Sequence, residues 1–308
     1  MTVLLHDTAE FRRYADASVV TIGVFDGVHR GHQEIISECV READRRAVAS
    51  VVLTFDMNPR GVVKGKAPCV ITARARKMQI IRGLGVDYIV EIKFDAKFAS
   101  LEPEEFCRQV LREHLGAAQV CVGENFRFGA QGAGDVGMLA ELGRSLGYAV
   151  DVIPLVEVAG SCVSSTFIRG CIREGRVEEV LECLGRPYSV AGKVVSGHAR
   201  GKALGFPTAN VSLSRHFCVP AEGVYAGRAI LGRKKYLSSI NVGSNPTFGD
   251  HELSLEVYLL DFHGEIYGES LEVEFHARLR DEIAFESPEG LRAQMANDVE
   301  RTRSLLGR

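Results

Sequence analysis

The 308-residue chain has the composition of an ordinary globular protein, with 46% hydrophobic and 25% charged residues and a formal net charge of −3. This balance lacks the basic excess of nucleic-acid-binding proteins, and no apolar run approaches the ~20 residues of a membrane-spanning helix. We therefore expect neither nucleic acid nor a membrane as a partner. Two domains are expected, because single cores seldom grow much beyond ~250 residues.

The first 185 residues alternate strand patterns with helical ones. An apolar run ends at Val24, and residues 31–45 carry apolar side chains at helical spacing. Further strands are predicted at 47–54, 88–92, 119–123 and 148–158, and further helices from Thr72 to 84, from 100–103 to 116 and from 135 to 146. This alternation predicts a Rossmann-like α/β domain with a parallel sheet, whose ligands bind at the carboxyl ends of the strands.

The pattern changes near residue 186. From Tyr188 onward, short β-rich segments are separated by turn residues until a helical pattern begins after Ser287 and Pro288. Many short strands without intervening helices are typical of an antiparallel barrel. We predict domains at 1–185 and 186–308, the second a β-barrel with a C-terminal helix that packs on it through Leu291, Met295, Val299 and Leu305.

The eight cysteines never occur as C-x-x-C and mostly lie inside apolar runs. We interpret them as buried small hydrophobic residues in a reducing cytoplasm, rather than as disulfide partners or zinc ligands. The N-terminal residues MTVLLHDTAEFRRY contain no apolar core followed by a cleavage site, so no secretory signal is visible. A cytoplasmic protein is predicted, and a homo-oligomer is left open.

The turn after the first long apolar run reads GVFDGVHRGHQ, from Gly23 to Gln33. His29 and His32 flank a glycine, so both imidazoles and the unpaired first amides of the following helix can meet a phosphate there. The helix dipole is positive at that end. Alternatively, the histidines only cap the helix, and the four residues alone do not decide between the two interpretations.

Residues 123–129, GENFRFG, follow a predicted strand and combine Asn125 with two phenylalanines. They can offer polar recognition beside a flat apolar surface for an aromatic ring, or form a loop with core-facing rings. Residues 132–137 match the dinucleotide fingerprint G-x-G-x-x-G. We reject that match, because a loop separates it from its strand and the earlier turn already occupies the first strand–helix position.

Residues 164–169, SSTFIR, place hydroxyl groups at a predicted helix start with Arg169 one turn later. Hydroxyls there can bind an anion, and a guanidinium reaches a phosphate with its planar fork. An ordinary N-cap with a solvated arginine is the alternative.

The barrel half contains a glycine-rich loop, residues 197–210, which delivers Thr208 and Asn210. Such hard oxygen ligands suit Mg²⁺ held partly by nucleotide phosphates, whereas a surface loop with a rigid Pro207 turn is the alternative. No G-x-x-x-x-G-K-[ST] motif occurs, so a P-loop kinase is excluded. In residues 253–259 the apolar positions alternate with Glu256 and Tyr258, which therefore share the opposite strand face. That face can carry a functional carboxylate, and an ordinary solvated strand face explains a glutamate there equally well. Glu272 and Glu274 are interpreted as a solvated face.

Several of these segments together resemble one family. GVFDGVHRGHQ, the pair Thr54-Phe55 with Asn58-Pro59, GENFRFG and SSTFIR are similar to the adenylyltransferase module of bacterial bifunctional riboflavin kinase/FAD synthetases. GFPTAN at 205–210, NPTF at 245–248 and LRDEIAF at 279–285 fit the flavokinase pattern of the same family. The resemblance covers nearly the whole chain.

The resemblance implies that the first domain adenylylates FMN and the second phosphorylates riboflavin, with ATP as co-substrate and Mg²⁺ as cofactor. It implies catalytic roles for His29, His32, Arg169 and Glu256, the last as the kinase base. The nucleotide-binding residues it implies are Gly23, Phe25, Asp26, Gly27, Gly31, Asn125, Ser164, Ser165, Thr166, Gly197, Lys202, Gly205, Phe206 and Pro207. The implied flavin-binding residues are Asn58, Phe126, Phe128, Asn245 and Arg280, and the implied metal ligands are Thr208 and Asn210.

Two departures from the family pattern leave other functions open. Met57 stands where the family has a proline, and the loop after Gly129 reads AQGAGD without the usual basic residue. A riboflavin kinase with a degenerate adenylyltransferase domain is one alternative. A non-catalytic flavin-binding or regulatory protein is the other.

Overall fold

The computed structural model describes residues 2–59, 61, 65, 67–158, 160–196, 205–245 and 252–307. By its contacts the chain divides into two compact units. The first unit consists of Met1–Pro68 and Ala73–Ser164, and the second of Cys69–Thr72 and Ser165–Arg308. The domain boundary at residues 185 and 186 concerns the two activities and stays a prediction.

Six parallel strands form the sheet of the first unit, in the order β1-β4-β3-β2-β5-β6. They are β1 (Val3–Leu5), β2 (Ser18–Ile22), β3 (Ala49–Phe55), β4 (Tyr88–Ile92), β5 (Ala117–Gly123) and β6 (Ala149–Ile153). Strand β2 pairs with β3 on one edge and with β5 on the other. The carboxyl ends of β2 and β5 therefore form the topological switch point at which such sheets bind ligands.

Helices connect these strands and confirm the predicted α/β architecture. They are α1 (Arg30–Arg46), α2 (Arg74–Gly83), α3 (Ala96–Ala99), α4 (Pro103–Glu105), a π-helical continuation of α4 (Phe106–His114) and α5 (Val136–Leu146). Two 3-10 turns span Thr8–Arg13 and Ala130–Gly132, and a small hairpin joins β7 (Glu157–Val158) to β8 (Ser161–Cys162). All residues of β2 are buried, as expected for a parallel strand covered on both faces.

Two predicted boundaries in this unit are wrong. Thr72 does not cap α2, which begins at Arg74 with Ala73 at the N-cap position. Thr72 belongs instead to the second unit, where its hydroxyl is 3.3 Å from Nη2 of Arg186. The strand predicted to run from 148 to 158 ends at Ile153, since Pro154 cannot donate a ladder hydrogen bond.

The second unit contains the predicted closed antiparallel barrel, with strand order β10-β13-β12-β11-β14-β9. Its strands are β9 (Tyr188–Val195), β10 (Ala209–Ser212), β11 (Gly223–Leu231), β12 (Lys234–Asn245), β13 (Glu252–Leu259) and β14 (Ser270–Arg280). Helices α6 (Ser165–Arg173) and α7 (Val177–Leu184) precede the barrel, and α8 (Pro288–Leu306) follows it. Among the residues described, no helix combines the length and hydropathy needed to cross a bilayer.

Helix α8 packs on the barrel, but not through all the predicted residues. Leu305 is 53% exposed, whereas Leu306 packs against Val224, Ala226 and Leu279. The fully buried residues of α8 are polar, Asp298 and Thr302. The prediction for Leu305 is wrong because the helix presents an ion-pairing face to the barrel rather than a purely apolar stripe.

The prediction that all eight cysteines are unpaired is also wrong. Cys69 and Cys218 form a disulfide across a sequence separation of 149 residues. A short parallel bridge brings them together, in which the Val70 amide donates to His216 O (2.7 Å) and the Cys218 amide donates to Val70 O (3.0 Å). The other six cysteines take part in no disulfide within the described residues, and of these six only Cys162 is exposed.

Candidate functional sites

The turn between β2 and α1 has an unusual backbone. Phe25, Gly27 and Val28 all have positive φ angles, of 51°, 89° and 39°. Only glycine adopts this region without cost, and a β-branched valine is strained there. Phe25 and Val28 are 2% and 0% exposed, so packing holds the turn, and the Gln33 side-chain amide donates to Val28 O at 2.8 Å.

His29 and His32 lie where this turn enters α1. His29 is the N-cap residue, and its Nδ1 accepts a hydrogen bond from the His32 amide at 3.3 Å. Their rings stack with centroids 3.6 Å apart. A Cβ at Gly31 would be 3.3 Å from the His29 ring, so the glycine allows this close stacking. The capping interpretation therefore holds for His29, and it places both rings at the switch point of the sheet.

Burial holds the pKa of His32 well below 6.5, with smaller contributions from His29 and from Lys77. The ring is consequently neutral at physiological pH and presents one donor and one acceptor. Its Nδ1 is buried and has no hydrogen-bond partner within the described part of the chain. Asp26, 9% exposed, lies in the same turn. The Gly23 position permits a close approach, since a Cβ there would be 2.9 Å from the Phe25 ring.

Lys77 is a site residue that the sequence analysis missed. It is 7% exposed, and its ammonium contacts Val24 O (3.3 Å), Thr54 Oγ1 (3.2 Å) and Phe55 O (3.1 Å). Its position next to Met78 and four residues before Ile81, both buried, is the only sequence signal for an inward-facing lysine. Burial lowers its pKa, whereas Glu91 and Asp26 act in the opposite direction.

Residues 123–129, which follow β5, contain both an exposed polar side chain and a core-facing aromatic ring. Phe128 is 6% exposed and belongs to the hydrophobic core, with Phe126 stacked on it at 5.7 Å, so the core-facing interpretation holds for Phe128. Asn125 is exposed beside Gly123. Gly134 of the rejected dinucleotide match is required by packing, since a Cβ there would be 2.6 Å from the Phe128 ring. Asn58 is half-buried, and its carbonyl accepts from the Gly61 amide.

Arg169 on α6 is not a solvated arginine, since it is only 7% exposed. Its Nε donates to the carbonyl of Cys69 at 2.7 Å, within the second unit. Ser165 begins α6 directly after Ser164, and Thr166 is exposed in the first turn. The solvated-arginine alternative is therefore wrong, and the hydroxyl groups lie at a helix N-terminus as the sequence indicates.

A row of polar side chains crosses the outer face of the barrel. Glu256 on β13 lies directly opposite Asn210 on β10 and opposite Asn241 on β12, so the three side chains share one face. Their strand neighbours, such as Leu255 and Val257, are buried in the barrel interior. Thr208 Oγ1 is 3.3 Å from Glu256 Oε2, which brings both predicted metal ligands beside the predicted base.

Further groups extend this face. The rings of Phe206 and Tyr258 meet edge to face at 5.3 Å beside the row. The Glu282 carboxylate lies over Gly243, where a Cβ would be only 2.4 Å from its oxygen, next to the Asn241 amide. Gly205 has a φ of 88° and Pro207 is exposed. Asn245 ends β12, where its backbone pairs with Glu252, whereas Gly197 and Lys202 lie outside the described residues.

Arg280 and Glu274 on β14 are both engaged in ion pairs within the protein. Arg280 is engaged by Asp298 of α8 and lies 5.9 Å from the Phe285 ring. Glu274 is 5% exposed rather than solvated, because Lys235 and His276 enclose it, with Lys235 Nζ 3.0 Å from its Oε1. His276 and Lys235 lower the pKa of Glu274. The prediction of a solvated face is wrong for this residue.

Within the described ranges, no group of three His, Cys, Asp or Glu side chains is arranged to hold a metal ion. Thr208, Asn210 and Glu256 instead offer a hydroxyl, an amide and a carboxylate oxygen on one face. Mg²⁺ keeps several waters and typically takes one or two protein oxygens plus substrate phosphates. The donor set therefore fits a Mg²⁺ ion that arrives with a nucleotide.

Comparisons with known proteins agree with both halves of the chain. Family models described as FAD synthetase and riboflavin kinase match residues 12–167 and 184–306. A bifunctional riboflavin kinase/FMN adenylyltransferase from Listeria monocytogenes is 35% identical, with 100% of this chain and 98% of that protein aligned. Its counterpart from Pseudomonas fluorescens is 37% identical over 93% of this chain and 92% of its own length.

A crystal structure described as a macrolide-efflux protein from Streptococcus pneumoniae superposes with a TM-score of 0.89 at 33% identity and covers 98% of both chains. The fold of the whole chain is thus shared with a solved structure. The matches to both family models and to full-length relatives agree on a single assignment. This chain belongs to the family of bifunctional riboflavin kinase/FMN adenylyltransferases, which form FMN from riboflavin and FAD from FMN.

Proposed function

We propose that the kinase reaction takes place on the outer face of β10, β13 and β12. The observation that supports this is the row Asn210–Glu256–Asn241 with Thr208 beside it. In this mechanism Glu256 accepts the proton of the riboflavin 5′-hydroxyl as that oxygen attacks the γ-phosphorus of ATP and ADP leaves. Thr208 donates to the Glu256 carboxylate and so fixes its orientation.

Mg²⁺ is part of the proposal. Thr208 and Asn210 would hold the ion, which would neutralise charge on the nucleotide phosphates. Phe206 and Pro207 would line the nucleotide end of this face. Asn245 and Arg280 are proposed at the flavin end, where Arg280 acts through its ion pair with Asp298 rather than as a free cation.

We propose that adenylyl transfer takes place at the turn between β2 and α1. A phosphate oxygen of FMN attacks the α-phosphorus of ATP, and pyrophosphate leaves, so no proton transfer is required. His29, His32 and the first amides of α1 would donate hydrogen bonds to the triphosphate oxygens. Asn125 with Phe126 and Asn58 are proposed as contacts for the bases of ATP and FMN. For Ser164, Ser165, Thr166 and Arg169, phosphate binding stays a prediction from the resemblance.

The decisive test separates the two activities. Purified protein is incubated with riboflavin and Mg·ATP, or with FMN and Mg·ATP, and FMN and FAD are resolved by chromatography. Glu256→Gln should lower FMN formation by ~10²–10⁴-fold and leave conversion of supplied FMN to FAD unchanged. Glu272→Gln, the same replacement on β14, is the matched control and should lower neither. Equal loss of both activities in Glu256→Gln would contradict the proposed base.

The converse test uses the histidines. His32→Asn should lower FAD formation from supplied FMN and leave riboflavin phosphorylation intact, whereas His263→Asn on the exposed surface should change neither.

The proposed location of the protein is the cytoplasm, which supplies ATP. A disulfide is unusual in that compartment, and cell fractionation with antibody detection tests the location.

A further inference from the structure

Lys77 is a buried cation at the adenylyltransferase turn with its hydrogen-bonding capacity filled. An ammonium group has three donors, and here they meet three oxygens, Val24 O, Thr54 Oγ1 and Phe55 O. Only the charged form satisfies all three acceptors. Lysine is almost never fully buried unless it is paired, so a 7% exposed lysine at the switch point requires an explanation.

The oxygens that Lys77 binds belong to the ends of two adjacent strands. Val24 follows β2 and its carbonyl begins the turn, while Thr54 and Phe55 end β3. Thr54 Oγ1 also donates to Val24 O at 3.3 Å, which closes a small network around the ammonium. The Val24 peptide leads directly into Phe25, the first of the three positive-φ residues. The lysine thus anchors the strained backbone where it departs from the sheet.

The charges around Lys77 come from several elements. Asp26 of the turn, Glu91 of β4 and Asp56 after β3 are the acidic groups that act on it, and Arg74 of α2 is the basic one. Glu91 is itself held by Arg74, whose Nε is 2.7 and 2.8 Å from its two oxygens. On the side of α1, the positive charge of Lys77 contributes to the lowered pKa of His32.

We propose that Lys77 is a positioning residue for FMN adenylylation, which fixes the 23–29 turn through the Val24 carbonyl and places a positive charge near the His32 ring. This inference rests on the proposed placement of adenylyl transfer at that turn. A buried charge is weak evidence for a purely stabilising role, because replacing a whole buried ionic cluster by apolar groups is often neutral or stabilising. Beside a polyphosphate site, the same charge also makes the local potential favourable for an anion.

The test compares Lys77→Met, which keeps the chain length and removes the ammonium, with Lys77→Arg, which keeps the charge. Lys93→Met, an exposed lysine on the same unit, is the matched control. Lys77→Met should lower kcat for FMN adenylylation by ~100-fold, as expected for a misplaced reactive geometry. Its riboflavin kinase rate should equal that of the wild type, which shows that the second unit is intact.

The second readout is independent of activity. The His32 Cε1–H signal is followed by NMR as a function of pH and identified by its absence in His32→Asn. Removing a neighbouring cation favours protonation, so the titration midpoint of His32 should rise in Lys77→Met and stay at the wild-type value in Lys77→Arg and Lys93→Met. An unmoved midpoint in Lys77→Met would contradict the presence of the Lys77 charge near the His32 ring.

The outcomes separate the inference from the proposal on which it rests. An unchanged adenylylation rate in folded Lys77→Met would overturn the role of Lys77, whatever the His32 midpoint. Adenylylation that survives both His29→Asn and His32→Asn would instead overturn the placement of the site. Should Lys77→Met not fold, Thr54→Val keeps the ammonium and removes one of its acceptors. A fall in adenylylation with an unaltered kinase rate then supports the inference, and no fall contradicts it.

Discussion

Arg280 and Asp298 join the last barrel strand to the C-terminal helix through an ion pair with three contacts. Arg280 Nε lies 3.2 and 3.0 Å from the two carboxylate oxygens, and Nη2 lies 2.8 Å from Oδ2. The side chains are 17% and 3% exposed. Gln294 donates to the same carboxylate at 3.0 Å. The family motif residue Arg280 is therefore bound within the protein, and its position depends on α8.

Replacing Asp298 by Asn should destabilise the protein, because it leaves the Arg280 charge buried without its partner. A loss of about 3 kcal/mol in the free energy of unfolding is expected, measured by urea denaturation. Asp261→Asn is the matched control, since Asp261 pairs with Arg303 on the surface and is 71% exposed. That variant should unfold at the wild-type urea concentration. Equal midpoints for the two variants would contradict the importance of the buried pair.

Opening the Cys69–Cys218 disulfide should lower stability by ~2–4 kcal/mol, because the bond closes a long loop in the unfolded chain. Calorimetry of Cys218→Ser in the absence of reductant tests this, with Cys162→Ser, an exposed free thiol, as the control. Peptide mapping without reduction should recover the peptides of Cys69 and Cys218 as one linked species. Recovery of both peptides as separate free thiols would refute the pairing.

The stability of the barrel should depend on Glu274 at acidic pH. His276 and Lys235 hold the pKa of this carboxylate below its usual value of 4.5 in the folded state. Its contribution is therefore present above pH 4.5 and is lost as the pH falls through the lower folded-state pKa. Glu274→Gln should be less stable than the wild type at neutral pH and should approach it as the pH falls through that range. Glu272→Gln should retain the wild-type pH dependence.

Asn241 is expected to matter for phosphorylation although no motif contains it. It flanks Glu256 on β12 as Asn210 does on β10, and the Glu282 carboxylate approaches its neighbour Gly243. Asn241→Ala should lower kcat for FMN formation by about tenfold, the cost of one charge-assisted hydrogen bond. Ser239→Ala, two residues along the same strand face, should not. Conversion of FMN to FAD should be the same in both variants.

Local patterns in the sequence predicted much of the fold. Strand β4 was predicted with its observed bounds, and α5 begins after Asp135, whose side chain accepts from the Met138 amide, and ends at Gly147 with a φ of 80°. Such features depend on residues close in sequence. The face of β13 that carries Glu256 also followed from simple alternation.

Features that depend on distant residues were not predictable in this way. Cys69 and Cys218 meet only because a backbone bridge forms across 149 residues. Glu274 is enclosed by Lys235 of another strand and by His276, where the pairing of β14 with β11 shifts register, so alternation along β14 alone predicted the wrong environment. Lys77 lies on a helix rich in basic residues, and its partners Val24, Thr54 and Phe55 belong to the turn after β2 and to β3.

The membership of Cys69–Thr72 in the second unit has a consequence for biosynthesis. These four residues are translated in the middle of the first unit, yet Cys218, which forms the disulfide with Cys69, is translated 149 residues later. At ~5–20 residues per second, Cys69 waits roughly 7 to 30 seconds on the ribosome before Cys218 is added. The first unit can therefore complete its sheet while this segment is still undocked, and the segment is fastened only after the barrel has begun to form.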